Sequence, residues 1–268
     1  MRIRAGYEIT FETAAPTPML MLLNVRAERA GDLEQVDVLK ISSGAPYTQF
    51  HDPFGNLCTR TLLPAGVNTL STEFVIRDSG RPDPILPTAA LAPVDTLPDD
   101  VIVFLLASRY CEVDRLNDLA WSLFGGLPRD WSLVQAIVDY THKRIAFGYH
   151  HARPTKTAWD AHEEQTGVCR DYAHLAITLC RCMNIPARYC TGYLGDIGVP
   201  PVDAPMDFSA WFEVWIGGAW RTFDARHNRP RIGRIPMARG RDATDAAITT
   251  NFGPALLGRF TVITEEVA

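Results

Sequence analysis

Two hydrophobic periodicities divide the chain into a β-rich and a mixed part. In the first 78 residues, short runs of alternating apolar and polar positions are separated by turn formers, which is typical of antiparallel strands. The predicted strands cover residues 6–12, 20–26, 36–41 and 69–77. Five prolines between residues 77 and 100 exclude a continuous helix or a central strand there, so this segment is predicted to link two domains.

After the proline-rich segment, apolar residues recur at helical spacing and then return to strand-like runs. Asp130 is predicted to cap one helix, and Thr157-Ala158-Trp159-Asp160 resembles a capping box that opens a short helical turn before Cys169. The predicted helices cover residues 101–108, 114–124, 131–145 and 169–185, and the predicted later strands cover residues 187–194, 209–216, 219–225 and 259–264. We therefore expect an α+β protein, with an antiparallel β-sandwich over residues 1–95 and a second domain over residues 96–268.

Gly217 and Gly218 lie between two β-rich runs and predict a two-residue hairpin, because both turn positions can require positive φ. Pairing Ile216 with Ala219 fixes the register of the hairpin. In that register Ser209, Trp211, Asp224 and Arg226 share one face, and Ser209 lies diagonal to Asp224.

Cys169 is placed at the start of the apolar helix that follows Gly167. Unpaired N–H groups and the helix dipole at such a position favour a thiolate, and the neighbouring Arg170 adds a positive charge. The competing interpretation is a structural cysteine that fills a small gap in the core.

The composition is that of an ordinary globular protein with a formal net charge of −5. Acidic and basic residues are spread along the chain, so no general basic field is expected to attract nucleic acid or an anionic membrane, and a small-molecule or protein substrate is favoured. The chain begins with strand-like alternation instead of a signal-peptide core, and we expect a cytoplasmic location. The spacing of the six cysteines predicts neither a disulfide framework nor a metal site, and no cofactor is expected.

A set of ordered motifs runs from about residue 150 to the C-terminus. They are Gly167-Val168-Cys169-Arg170-Asp171-Tyr172, Ile185-Pro186-Ala187-Arg188-Tyr189, Ala210-Trp211-Phe212-Glu213-Val214 and Phe223-Asp224-Ala225-Arg226-His227-Asn228. In these motifs the chain resembles the bacterial transglutaminase-like cysteine peptidase family. The resemblance implies a papain-like α+β domain in which a helix bearing the cysteine packs on an antiparallel sheet.

The resemblance also implies a Cys-His-Asp triad, with Cys169 as nucleophile and Asp224 as orienting acid. The family's histidine, however, directly precedes the Ala-Trp pair, where this chain has Ser209. A serine hydroxyl cannot accept the thiol proton near neutral pH. Three explanations stay open: an inactivating substitution, natural or engineered; replacement by another histidine, for which His227 is the plausible candidate; or an altered function.

Other residues are candidates for substrate contacts. Gln165 is a candidate to polarise a substrate carbonyl beside the Cys169 N–H. Trp211 is predicted to be core or cleft wall, and Arg226 opens a run of arginines that is either a solvated loop or a contact for an anionic substrate.

The expected chemistry is attack of the Cys169 thiolate on an amide or peptide carbonyl, giving an acyl-enzyme that is released to water or to an amine. The partner would be a peptide or protein, and the sequence decides neither the acceptor nor the oligomeric state. The alternative is a non-catalytic peptide-binding or scaffold module that retains the fold. Loss of the family's histidine at Ser209 supports this alternative, whereas retention of Cys169 and Asp224 opposes it.

Overall fold

The computed structural model describes residues 1–202 and 205–267. The strands are β1 (Arg2–Thr13), β2 (Thr17–Met21), β3 (Lys40–Ile41), β4 (Tyr47–His51), β5 (Leu57–Leu63), β6 (Gly66–Arg77), β7 (Ala146–Phe147), β8 (Thr166–Gly167), β9 (Ala187–Tyr193), β10 (Ser209–Ile216), β11 (Ala219–Phe223), β12 (Ile235–Gly240), β13 (Thr249–Asn251) and β14 (Ala255–Val267). The α-helices are α1 (Asp99–Ile102), α2 (Val113–Phe124), α3 (Trp131–Arg144), α4 (Ala158–Glu164) and α5 (Cys169–Cys182).

Two antiparallel sheets form the sandwich, in the orders β14-β1-β6-β3 and β13-β2-β5-β4. Alternation along β1 buries Ile3, Ala5, Tyr7, Ile9 and Phe11, and these residues share one apolar core with residues of the second sheet. A strand buries every second side chain, so this pattern places one face of each sheet against the other. The predicted sandwich is thus present, although β4 and β5 were not anticipated.

The C-terminal segment returns to this sandwich. β14 pairs with β1 along nearly its whole length, and β13 pairs with β2. The strand predicted over residues 259–264 lies within β14, but the division expected at residue 95 did not anticipate that β13 and β14 join the N-terminal sandwich. The apolar pattern of a strand does not reveal which distant strand it pairs with.

The α+β part of the chain combines an antiparallel sheet with packed helices. Its antiparallel sheet has the order β11-β10-β9-β12, and α5 packs against β10 and β9. Nearly every residue of α5 after its first turn is buried, in a core shared with α2, α3 and α4. The expected α+β architecture, with the cysteine helix on an antiparallel sheet, is confirmed.

The hairpin has the register that its two glycines predict. Ile216 pairs with Ala219 and Glu213 with Thr222, and both glycines have positive φ. Pairing ends at Phe212 and Phe223, where the chain leaves the strand for a turn. In the part of the chain described, no helix is long and apolar enough to cross a membrane.

Candidate active site

Cys169 is the first residue of α5, and the buried carboxylate of Asp171 holds that end of the helix in place. The Asp171 side chain accepts a hydrogen bond from the Val168 N–H at 2.9 Å, which satisfies one of the donors left unpaired before the first turn. Gly167 makes room for this contact, because a Cβ there would lie 2.7 Å from the Asp171 Cβ. The local sequence therefore fixes the start of α5 and, with it, the position of the Cys169 thiol.

The Cys169 thiol is half-buried at the start of α5. Burial raises the pKa of Cys169 to about 11, although Arg226 and the Ala210 N–H act in the opposite direction. The helix terminus and Arg170 were expected to favour the thiolate, but the Arg170 guanidinium instead contacts the Arg153 carbonyl at 2.5 Å. Cys169 consequently needs a base in order to become a nucleophile near neutral pH.

Asp224 and His227 form a hydrogen-bonded pair within the turn that follows β11. The Asp224 carboxylate accepts the His227 backbone N–H at 3.0 Å, and the Asn228 N–H donates to the Asp224 carbonyl at 2.8 Å. This turn brings the His227 ring back over the acid, with His227 Nδ1 2.8 Å from Asp224 Oδ2. Among the described residues, His227 Nε2 has no hydrogen-bond partner. One ring nitrogen is held by the acid and the other is free to exchange a proton.

The Asp224 carboxylate is kept ionised by its partners. Burial alone would raise the pKa of Asp224, but the Arg234 guanidinium and His227 hold it well below its usual range. Arg234 donates to Asp224 at 2.9 Å and to Asp83 at 2.9 Å. Arg234 is therefore a buried ion-pair partner, and the interpretation of the arginine run as a solvated loop is wrong for this position.

Ser209 begins β10, pairs with Gly192 of β9 and lines the same cleft as Cys169. Only 5% of Ser209 is exposed, and its hydroxyl oxygen is buried without a hydrogen-bond partner among the described residues. The predicted diagonal contact between Ser209 and Asp224 requires the hairpin to stay paired beyond Phe223. Since pairing stops at Phe223, the turn places His227, and not the residue at position 209, against the Asp224 carboxylate.

Cys169, Ser209 and His227 line one cleft of about 120 Å³. The residues that line it are Tyr149, Cys169, Leu194, Asp196, Val199, Pro200, Val202, Pro205, Met206, Asp207, Phe208, Ser209, Arg226, His227, Arg229 and Arg231. Arg226 stacks on Phe147 at 3.9 Å from the ring centre and forms part of the cleft wall. The cleft thus joins the thiol, the free nitrogen of an acid-held imidazole and an unpartnered hydroxyl.

Two of the candidate contacts lie elsewhere. Gln165 is an exposed residue with positive φ at the C-terminal end of α4, and it is not among the described residues of the cleft wall. Trp211 is buried, with the Arg234 guanidinium 5.0 Å from its ring centre. His174 is also buried, and burial lowers its pKa to about 3. His162 is a buried residue of α4.

Asp83 and Arg234 were not identified as site residues from the sequence. Arg234 belongs to the arginine run that begins at Arg226, but nothing in the proline-rich segment indicates that Asp83 is an ion-pair partner of Arg234. His227 had a local signal, since an aspartate commonly accepts the backbone N–H of a residue two or three positions further on in a turn. No group of described residues has the donor set of a metal site.

A cysteine at the start of a buried helix, packed on an antiparallel sheet that carries a His-Asp pair at its edge, defines a transglutaminase-like α+β fold. The family model described as "Transglutaminase-like superfamily" matches residues 118–225. The crystal structure of a protein from Cytophaga hutchinsonii, described as a "Putative Cysteine Protease", is 30% identical, covers 99% of this chain and 90% of that one, and has a TM-score of 0.84. The chain therefore belongs to the transglutaminase-like superfamily, which confirms the resemblance seen in its motifs.

Two further proteins are similar over less of their structure or length. An uncharacterised protein of Mycobacterium leprae is 36% identical over 94 residues, which cover 33% of this chain and 32% of that protein. The periplasmic domain of TgpA from Pseudomonas aeruginosa is 16% identical, with a TM-score of 0.42 over 83% of this chain and 87% of that one. The chain thus matches only about a third of the length of the Mycobacterium leprae relative.

Proposed function

We propose that the protein is a cysteine hydrolase or acyltransferase that acts on amide or peptide bonds, with Cys169 as nucleophile, His227 as base and Asp224 as orienting acid. The observation that carries this proposal is the cleft that Cys169 shares with His227, whose Nδ1 lies 2.8 Å from the buried Asp224 carboxylate. An imidazole held in this way has a fixed tautomer, and its protonated form is stabilised by the acid.

The proposed reaction follows from the state of the thiol. Because burial keeps Cys169 protonated, His227 Nε2 takes the thiol proton as the sulfur attacks the substrate carbonyl. The same nitrogen then returns the proton to the leaving amine. Water or a second amine attacks the resulting thioester and releases the acyl group.

Two donors are available for the oxygen that becomes negative during attack. The Cys169 N–H lies in the first turn of α5, where N–H groups have no acceptor within the helix. The buried Ser209 hydroxyl lines the same cleft as the thiol and has no partner among the described residues, so a substrate oxygen would satisfy it. In this proposal Ser209 supports the reaction as a donor, while His227 supplies the base that Ser209 cannot.

The proposed partner is a peptide or protein, since an open cleft lined by both charged and apolar side chains suits an extended chain. Six free cysteines, five of them buried, support a reducing compartment such as the cytoplasm.

The test is to measure release of ammonia or amine from glutamine-containing peptides with and without an added primary amine. Hydrolysis alone would identify a peptidase or amidase, and incorporation of the amine would identify a transglutaminase. Both activities should disappear in Cys169→Ala. If a broad panel of peptides and activated esters gives no turnover and no acyl-enzyme, the protein is a non-catalytic module that retains the fold.

A further inference from the structure

The proline-rich segment reaches the candidate active site through Asp83. Asp83 and Arg231 exchange two backbone-linked hydrogen bonds: the Asp83 N–H donates to the Arg231 carbonyl at 3.0 Å, and the Arg231 N–H donates to the Asp83 carboxylate at 2.9 Å. These contacts fix the Asp83 side chain against the loop between β11 and β12. A segment that looks like a linker in sequence is therefore anchored on the catalytic part of the fold.

Arg234 connects this anchored carboxylate to the site. Only 7% of its side chain is exposed, and it lies 2.9 Å from both Asp83 Oδ2 and Asp224 Oδ2. Asp224 Oδ2 is also the atom that contacts His227 Nδ1 at 2.8 Å. The four side chains thus form one chain of alternating charge, Asp83 to Arg234 to Asp224 to His227.

The sum of these charges matters for proton transfer. With neutral His227, the carboxylates of Asp83 and Asp224 and the guanidinium of Arg234 leave one net negative charge in a buried place. When His227 takes the thiol proton, the cluster becomes neutral. Without Asp83, Arg234 would cancel the charge of Asp224, and the imidazolium would lose much of its compensation.

We propose that Asp83 and Arg234 are positioning residues for the His227–Asp224 pair, with Arg234 fixing the Asp224 carboxylate and Asp83 restoring the negative charge that Arg234 cancels. This inference rests on the proposed function, because it assigns the pair a role in accepting the thiol proton. It gives the proline-rich segment a part in the chemistry as well as in joining the two halves of the chain.

The test uses variants with opposite electrostatic effects, Asp83→Asn and Arg234→Gln, with Asp95→Asn as the matched control. Asp95 is exposed in the same segment. The readout is the rate of Cys169 alkylation by iodoacetamide, measured as pH is varied. Other titratable or charged groups that face the same cleft are unchanged in these variants; they are Tyr149, Cys169, Asp196, Asp207, Arg226, Arg229 and Arg231.

We expect Asp83→Asn to slow Cys169 alkylation at neutral pH and Arg234→Gln to accelerate it, each by about three- to tenfold, with no change in Asp95→Asn. Arg234→Lys, which keeps the charge, should restore a rate near that of the wild type. A purely structural role would not produce rate changes of opposite sign.

The proposal is overturned if Asp83→Asn folds normally and leaves the rate of Cys169 alkylation unchanged, or if Asp83→Asn and Arg234→Gln change that rate in the same direction. Should Arg234→Gln fail to fold, Asp83→Asn and Arg234→Lys still decide the matter. Failure of the proposed function has a different result, because the rate of Cys169 alkylation would then be the same in the wild type and in His227→Gln.

Discussion

Replacement of His227 by Gln should remove the base while keeping a side chain of similar size in the cleft. Burial raises the pKa of Cys169 to about 11, so without a base about one thiol in 10⁴ is ionised at pH 7. This fraction sets an upper limit of about 10⁴ on what the base can contribute, and one positioned acid-base group commonly contributes 10²–10⁴. We therefore expect the rate of Cys169 alkylation at pH 7 to fall by about 10²–10³.

The assay is alkylation by iodoacetamide between pH 5 and 10, followed by peptide mass spectrometry, as is appropriate while the natural substrate is undefined. The other five cysteines are buried and serve as slow internal references. His51→Gln changes an exposed histidine of β4 and should react like the wild type. If His227→Gln keeps the wild-type rate and pH profile, then His227 is not the base, and the proposed triad is wrong.

Three further predictions concern the surroundings of the pair. Ser209→Ala should lower turnover by about tenfold, the effect of one hydrogen bond. Ser209→His should give no gain in turnover, because the Asp224 carboxylate is already hydrogen-bonded to His227. A rise of 10²-fold or more in kcat/KM of Ser209→His would instead identify position 209 as the place of the base. Gly167→Ala should lower the free energy of unfolding in urea by about 1–3 kcal/mol, since its Cβ would crowd Asp171, and an unchanged urea midpoint would contradict this. Because the pKa of Asp224 is lower in the folded than in the unfolded state, its contribution to stability is present above about pH 4 and is lost below it; the difference in urea stability between wild type and Asp224→Asn should therefore narrow on acidification, and a constant difference would refute the linkage.

The sequence contains the local rules of this fold but few of its long-range contacts. Alternation in β1, the capping residues Asp130 and Thr157 and the two glycines of the hairpin act within a few residues, and the structure has the elements that they predict. The return of β14 to β1 depends on pairing across the whole chain, which no local pattern encodes.

The same distinction holds for the candidate site. Cys169 and Asp224 could be located from motifs, and the register argument correctly placed the hairpin. The predicted pairing of the hairpin continues past its real end, however. That end depends on the turn from Asp224 to Asn228, where side-chain and backbone hydrogen bonds replace the strand ladder. The contact of Asp83 with Arg234 joins residues 151 positions apart, and for that reason it could be found only in the structure.

Acylation of Cys169 with the help of His227 can be observed by trapping the acyl-enzyme. The protein is mixed with an activated acyl ester, quenched in acid within the first turnover, and digested for peptide mass spectrometry. We expect one acyl group on the Cys169 peptide in the wild type, a much slower build-up in His227→Gln and none at that position in Cys169→Ala. Acylation at another residue, or equal rates in the wild type and His227→Gln, would contradict this expectation.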